Sequence, residues 1–252
     1  MKIARFSHDG AINYGIVDGD SLVVLDGDPM YTGFNPTGER VSRDSATLLA
    51  PVIPRSKVVA VGKNYLDHAQ EMGGNAPEEP LLFLKPNTSV IGPGDRIILP
   101  DLSDQVEHEG ELAVIIGAIA RNVEADDAAS VIFGYTAAND VTARDLQRAD
   151  GQWTRGKGFD TFCPLGPVVE TEFTPTSGTI QTRVNGEVRQ QAPLSNMIHS
   201  VASIIAYASA VFTLLPGDVI LTGTPAGVGP LLSGDVVDVE IDGIGTLSNP
   251  VV

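Results

Sequence analysis

The segment Val106–Gly117, VEHEGELAVIIG, constrains this chain more than any other stretch. Its first half carries glutamates at every second position, and its second half is apolar without a break. Read as a strand, a period of two places Glu107, Glu109 and Glu111 on one face and His108, Gly110 and Leu112 on the other. The apolar run predicts that both faces become buried, so the acidic residues lead directly towards a core. Three carboxylates on one face repel one another. On an exposed edge, water would offset that charge; inside a core, a cation must. An all-oxygen donor set suits Mg²⁺, Mn²⁺ or Ca²⁺ better than zinc.

The charge balance narrows the function further. Asp and Glu total 32 against 16 Lys and Arg, a formal net charge of −16 over 252 residues. A surface that acidic repels phosphate backbones and anionic headgroups, which argues against nucleic-acid and membrane partners. With 42% hydrophobic content the chain can bury a real core, so disorder is excluded. One cysteine, Cys163, leaves no intrachain disulfide and no multi-thiolate metal site. MKIARFSHDG has no secretory character, and the longest apolar run, Val201 to Leu215, falls short of a bilayer. The chain is therefore expected to be soluble and cytoplasmic.

Along the chain, KIARF, YGIV and SLVVL read as short strands, the last two joined through Asp18-Gly19-Asp20. Residues 1–54 are expected to form a small β domain, and residues 55–252 the main domain. In the second unit, KVVAVG, RIILP, GYTAANDV, DVILTG, DVVDVEI and GIGTLSN read as extended. TIQTRVNGEVRQQ is a hairpin turning at Asn185-Gly186. ADDAASVIF reads as helical, TARDLQRAD as a helix with Thr142 as candidate cap, and Ser195 to Leu214 as one long helix containing His199. Many short strands with few, unevenly placed helices predict a β-rich α+β sandwich or roll rather than a doubly wound or barrel α/β fold.

Other residues could share a site with the glutamates. Asp140 ends an apolar extended run, as a further ligand or as a helix cap. Arg144 and Gln147 follow it at i+4 and i+7, near one helical face. His68 and Glu71 lie three apart on the predicted helix NYLDHAQEM, as a general base with its orienting carboxylate or as an ordinary surface pair. The stretch from Gly73 to Pro80 has the composition of a mobile segment. Gly62-Lys63-Asn64 lacks the glycine and hydroxyl of a phosphate loop, and no G-x-S-x-G elbow occurs. Cys163 reads as a packed small hydrophobe.

Together the motifs G-K-N-Y-x-x-H-x-x-E, F-L-K-P, E-x-E-L-A-V-I-I-G, N-D-V-T-A-R-D-L-Q, G-K-x-x-D-T-F-x-P-x-G-P and P-G-D-V-I-x-T-G-T-P-x-G-V-G occur in order from Lys57 onward. This set resembles the fumarylacetoacetate hydrolase superfamily, and the first fifty residues resemble the small N-terminal appendage of its short bacterial members. The resemblance implies a mixed β-sandwich roll and a metal site of Glu109, Glu111 and Asp140, with Glu107 outside it. It implies Mg²⁺ or Mn²⁺ as cofactor, with Ca²⁺ able to substitute in crystals. Lys157 would stand beside the metal, Arg144, Gln147 and Thr224 would bind substrate, and His68 with Glu71 would form the dyad of a lid helix. The implied activity is cleavage or decarboxylation of small anionic β-keto acids of the acylpyruvate or oxaloacetate type. The alternative is isomerisation of 2-hydroxyhepta-2,4-diene-1,7-dioate; a silent binding protein fits less well, because every metal and dyad position is retained. The resemblance also implies a homodimer, and the strands GYTAANDV and FCPLGPVVE are expected to supply its apolar surface.

Overall fold

A computed structural model describes all residues, 1–252. Its frame is one long mixed sheet. From one edge the strands run Pro36–Ser42, Ser21–Leu25, Ala11–Asp18, Lys2–His8, Cys163–Glu170, Ile132–Asn139, Gly110–Ile116, Val219–Leu221, Val58–Gly62 and Leu81–Lys85. Short strands Thr47–Leu48 and Val90–Ile91 pair at its flanks. The first strands are thus continuous with the rest, because Lys2 and Ile3 pair with Glu170 and Val169. A second sheet contains Glu187–Pro193, Thr179–Val184, Val236–Ile241 and Gly245–Pro250. A third, of three short strands, holds Thr142–Ala143, Val106–His108 and Gly229–Pro230. The architecture is the β-rich sandwich that the strand pattern predicts.

Strand Gly110–Ile116 is the centre, and its residues alternate between two cores. Leu112, Val114 and Ile116 pack with Ile204, Ile205 and Ala208 of the helix Val201–Val211 and with Ile180, Val239 and Ile241 of the second sheet. Ala113 and Ile115 pack on the other side with Val58, Ala60, Val219, Leu221 and Cys163. Both faces are therefore covered, which is why the sequence is apolar throughout. Each such aliphatic side chain contributes roughly 1.5–3 kcal/mol on burial, whereas an ion taken from water costs several. The carboxylates at the head of this strand thus need compensation nearby.

Local geometry departs from the simple pattern in several places. The glutamate segment is two strands, Val106–His108 and Gly110–Ile116, parted at Glu109 and assigned to different sheets. The Asn139 side-chain oxygen takes the Glu109 N–H at 2.9 Å, and Glu109 O accepts from Asp140 N at 2.8 Å. RIILP contributes only an isolated bridge between Ile97 and Val251. ADDAASVIF divides into a 3-10 turn, Ala125–Val131, and a strand from Ile132, as the β-branched and aromatic end enters the sheet.

The helix expected over Ser195–Leu214 spans only Val201–Val211. Before it, Asn64 draws the chain aside: its carbonyl accepts from Ile198 N and its side-chain oxygen from His199 N, at 2.8 and 2.7 Å. His199 therefore precedes the helix, and Ser200 caps it through Ser203 N at 3.2 Å. Thr142 is no cap either; its hydroxyl donates to Asp140 O at 2.8 Å, and the helix Arg144–Asp150 starts two residues later.

The hairpin turns hold as predicted. Asp18 pairs with Ser21 across the first. At the Asn185-Gly186 turn both residues have positive φ, 53° and 80°, the requirement that makes Asn-Gly favourable there. Strands Ile132–Asn139 and Cys163–Glu170 lie inside the long sheet and are spent on the two cores, so they present no spare apolar face.

Candidate functional site

Adjacent antiparallel strands bring the acidic residues together. Gly110 pairs with Asn139 and Glu111 with Ala138, so Glu109 and Asp140 meet where the ladder ends. Glu109, Glu111 and Asp140 are all buried, and their ligand oxygens lie within 4.8 Å of one another.

Cations surround this cluster unevenly. The Lys157 ammonium donates to Glu109 Oε2 at 2.7 Å and to Asp140 Oδ2 at 2.6 Å. Lys85, also buried, donates to Asp140 Oδ1 at 2.5 Å and to Val141 O at 3.2 Å. Arg144 donates to Glu107 Oε2 at 2.7 Å, to Gln147 Oε1 at 2.7 Å and to Glu109 Oε1. Glu107 thus belongs to the arginine rather than to the carboxylate cluster. Glu111 accepts only the Gly223 N–H, at 2.6 Å. Gly223 has φ 97°, and a Cβ there would stand 2.6 Å from the Asn64 Cβ, so only glycine brings that N–H so close.

Four buried carboxylates (Glu107, Glu109, Glu111, Asp140) meet three buried cations (Lys85, Arg144, Lys157), and 4 − 3 leaves one negative charge. The imbalance falls on Glu111. Burial, then the charges of Asp140 and Glu109, push its carboxyl well above the usual range. Burial also works against ionised Glu109, but Lys157 and Arg144 outweigh it and hold that carboxyl far below the usual range. Lys157, despite its burial, is held above its ordinary value by Asp140 and Glu109. Three converging oxygen donors, one of them with no cation partner in the protein, fit a hard divalent cation.

The cluster lies against a cavity of about 250 Å³ that also receives His68, Arg144, Gln147, Lys157 and Thr224. His68 rides the helix Leu66–Glu71, and its Nδ1 lies 3.0 Å from Glu71 Oε2. The other Glu71 oxygen accepts the Gly227 N–H at 3.0 Å. Glu71 therefore stands behind His68 and pins this helix to the Gly227 loop. The following stretch is tied down as well, by His199 Nε2 near Pro77 O at 3.2 Å and by Tyr207 donating to Glu79 at 3.1 Å. The Thr224 hydroxyl donates to Gly110 O at 2.8 Å and accepts from Gln190 Nε2 at 2.7 Å, so its proton is already engaged. Gln190 also accepts from Gly110 N and faces His108 Nδ1, which places that ring proton on Nδ1.

All nine residues singled out in the sequence converge here: eight line the cavity and Glu71 supports one of them. Sequence reasoning missed Lys85, Glu107 as the partner of Arg144, and the aromatic wall of Phe83 and Trp153, whose rings meet edge-on at 5.2 Å. Lys85 had left a signal, since a lysine closing the apolar run LLFLK needs a buried partner.

Residues 57–252 match the family described as fumarylacetoacetate (FAA) hydrolase, C-terminal, and residues 1–51 match Rv2993c-like, N-terminal. Human mitochondrial oxaloacetate tautomerase FAHD2A is 46% identical, over 83% of this chain and 71% of its own. The crystal structure of 2-hydroxyhepta-2,4-diene-1,7-dioate isomerase from Mycobacterium marinum superposes with a TM-score of 0.93, at 46% identity, covering 100% of this chain and 98% of that one. Maleylpyruvate hydrolase from Sphingobium sp. SYK-6, in complex with manganese(II) and pyruvate, superposes with a TM-score of 0.83 at 31% identity, covering 100% and 99%. Motif order, fold and the buried acidic cluster agree with the match over residues 57–252, and the chain belongs to the fumarylacetoacetate hydrolase family.

Proposed function

We propose that the chain is a Mg²⁺- or Mn²⁺-dependent enzyme that cleaves or decarboxylates small β-keto acids of the acylpyruvate or oxaloacetate type through an enolate. The observation that carries this reading is the buried Glu109–Glu111–Asp140 cluster, in which Glu111 has no cation partner, opening on a cavity that also receives a histidine. These three residues would hold the ion, and when bound it supplies Lewis-acid withdrawal of electrons from a keto oxygen.

The chain's own groups do the rest. Lys157 keeps a fixed positive charge beside the position where the enolate develops. Arg144 fixes Glu109 and Gln147, leaving the Gln147 amide nitrogen free of protein partners and available to a substrate carboxylate. Nδ1 of His68 donates to Glu71, so Nε2 keeps a lone pair for a proton. In acylpyruvate cleavage His68 takes a proton from water, the water oxygen attacks the distal carbonyl, and the carbon–carbon bond breaks to leave a pyruvate enolate. Proton return to that carbon ends the cycle. Decarboxylation forms the same enolate by loss of CO₂ and needs no water.

A second reading is tautomerisation or isomerisation, in which His68 moves a proton between carbons or oxygens of one substrate. It is favoured by the 46% identity to proteins named oxaloacetate tautomerase and dienedioate isomerase. Assays of metal-loaded protein on oxaloacetate, acylpyruvates and the dienedioate, following CO₂, free pyruvate and enol absorbance separately, decide between the two. Pyruvate or CO₂ release above the uncatalysed rate supports the first reading; interconversion without fragmentation supports the second.

We also propose a homodimer, and keep residues 1–54 as an appendage to the 55–252 unit that carries every candidate site residue. With the two internal strands excluded, exposed Leu81, Leu84 and Val211 offer the apolar face at the Leu81–Lys85 edge of the long sheet. Light scattering at micromolar concentration is expected to give about twice the 26.4 kDa chain mass, and a monomer mass overturns this assignment.

A further inference from the structure

Two more cations line the same cavity, Lys63 and Arg148. They differ in kind from those beside the carboxylates. Arg144 and Lys157 are buried and bound to glutamate and aspartate oxygens. Lys63 is only half-buried, and its ammonium makes no hydrogen bond or ion pair with the protein. Arg148 is exposed and reaches only Gln105 Oε1, at 3.5 Å. Acidic residues outnumber basic ones two to one in this chain, yet none of them meets either cation.

The backbone at Lys63 is held in place. Its φ is 58°, a left-handed conformation that a non-glycine residue keeps only where its neighbours impose it. Those neighbours are visible. Gly62 lies so close to Trp153 that an added Cβ would stand 2.8 Å from its ring. Asn64 is buried and donates to Thr222 O at 2.7 Å and His199 O at 3.0 Å. On the far side Gly74 leaves room for the ammonium, since a Cβ there would come within 3.0 Å of Lys63 Nζ. A cation held against a cavity by strained backbone, with no partner of its own, is arranged for an anion that arrives from outside.

We propose that Lys63, assisted by Arg148, reads a second anionic group on the substrate. The cavity then selects keto acids that carry a distal carboxylate over those with a neutral tail of the same length. The inference deepens the keto-acid reading of the site and rests on it: the keto-acid end goes to the carboxylate cluster, and the far carboxylate meets Lys63 and Arg148. A fixed charge pair at a partly hydrated rim gives discrimination on the order of tenfold.

The test uses two ligands of equal chain length, 2-oxoglutarate and 2-oxopentanoate, titrated calorimetrically into Mn²⁺-loaded protein. Wild-type protein is expected to bind the dianion at least about tenfold more tightly. Lys63→Met should remove most of that ratio by weakening 2-oxoglutarate alone, Lys63→Arg should keep it, and Arg148→Met should reduce it less. The Mn²⁺ affinity of each variant, measured without keto acid, should stay at the wild-type value. Equal wild-type affinities, a ratio unchanged in Lys63→Met, or equal weakening of both ligands overturns the proposal while leaving the keto-acid reading intact. Failure of wild-type protein to bind either ligand at millimolar concentration overturns both.

Discussion

Lys85 donates to Asp140 Oδ1 at 2.5 Å, with both side chains sealed from solvent, while the other Asp140 oxygen is held by Lys157. Both oxygens of this buried carboxylate are thus held by buried ammonium groups, without a bound ion. Lys85→Met should therefore destabilise metal-free protein by about 3 kcal/mol, the usual loss when one partner of a buried pair is removed. Saturating Mg²⁺ should narrow the gap, since the ion supplies the missing positive charge. Urea unfolding with Mg²⁺ and with chelator measures both values, and an equal gap in the two conditions would contradict the compensating role.

Chelator should abolish turnover, with Mg²⁺ or Mn²⁺ restoring it. Glu109→Gln and Asp140→Asn should each weaken metal affinity and rate. Wild-type Tm should rise with ion concentration, about 2.7 kcal/mol of added stability at a hundredfold excess over Kd. Full activity in dialysed, chelator-treated protein would sink the metal assignment.

The raised Glu111 carboxyl gives that centre a pH signature. A proton held above its unfolded-state pKa stabilises the metal-free fold below that pKa, and the contribution is lost as pH rises through the folded value. A ligating carboxylate must be ionised, so metal binding displaces this proton and apparent affinity climbs with pH over the same window. Calorimetric titration in two buffers of different ionisation enthalpy should show proton release; identical heats would refute it.

His68→Ala should cost acylpyruvate cleavage on the order of 10²–10⁴-fold, the usual contribution of one positioned base. Decarboxylation should lose less, and Mn²⁺ affinity should hardly change. Equal losses in both reactions would mean that His68 serves closure of its helix rather than proton transfer. Glu71→Gln keeps an acceptor for Gly227 N–H but removes the carboxylate behind the imidazole, so it should lower acylpyruvate turnover while leaving Mn²⁺ affinity and the helix position unchanged.

Cys163 sits in the second core beside Leu165 and Val219, where burial pushes its thiol up to about 12. It should resist thiol reagents at pH 8 except through global unfolding, so labelling should track urea concentration along the unfolding curve. Unfolded thiol ionises from about pH 9 while the folded one stays protonated to about 12. Stability should therefore fall across that interval. Rapid labelling of native protein at pH 8 would show the packing to be wrong.

Much of the site was legible because its chemistry is local in sequence. The E-x-E spacing survives, since a period of two transmits directly into space. Arg144 and Gln147 do share the helix Arg144–Asp150, but Asp140 lies before that helix and reaches the site from the end of the strand Ile132–Asn139 instead. Glu107 shows the limit: its alternation with Glu109 was correct, but the ladder breaks at Glu109 and Arg144 claims Glu107. Asn64 marks the other limit. Its bonds to Ile198 and to His199, the latter 135 residues away, shorten the predicted helix before Val201, and no periodicity records such a partner. The N-terminal strands read correctly one by one, but nothing in them announced that Ile3 would pair with Val169.

Trp153, the chain's one tryptophan, forms part of the cavity wall beside Phe83. Excited at the red edge of its absorption, where the five tyrosines are silent, it emits from this wall alone. A molecule that displaces water from the indole should move its emission to the blue, and a charged quencher should report the sign of the field at the entrance. The protein therefore carries its own optical reporter, usable on unlabelled chain before any product of the reaction has been identified.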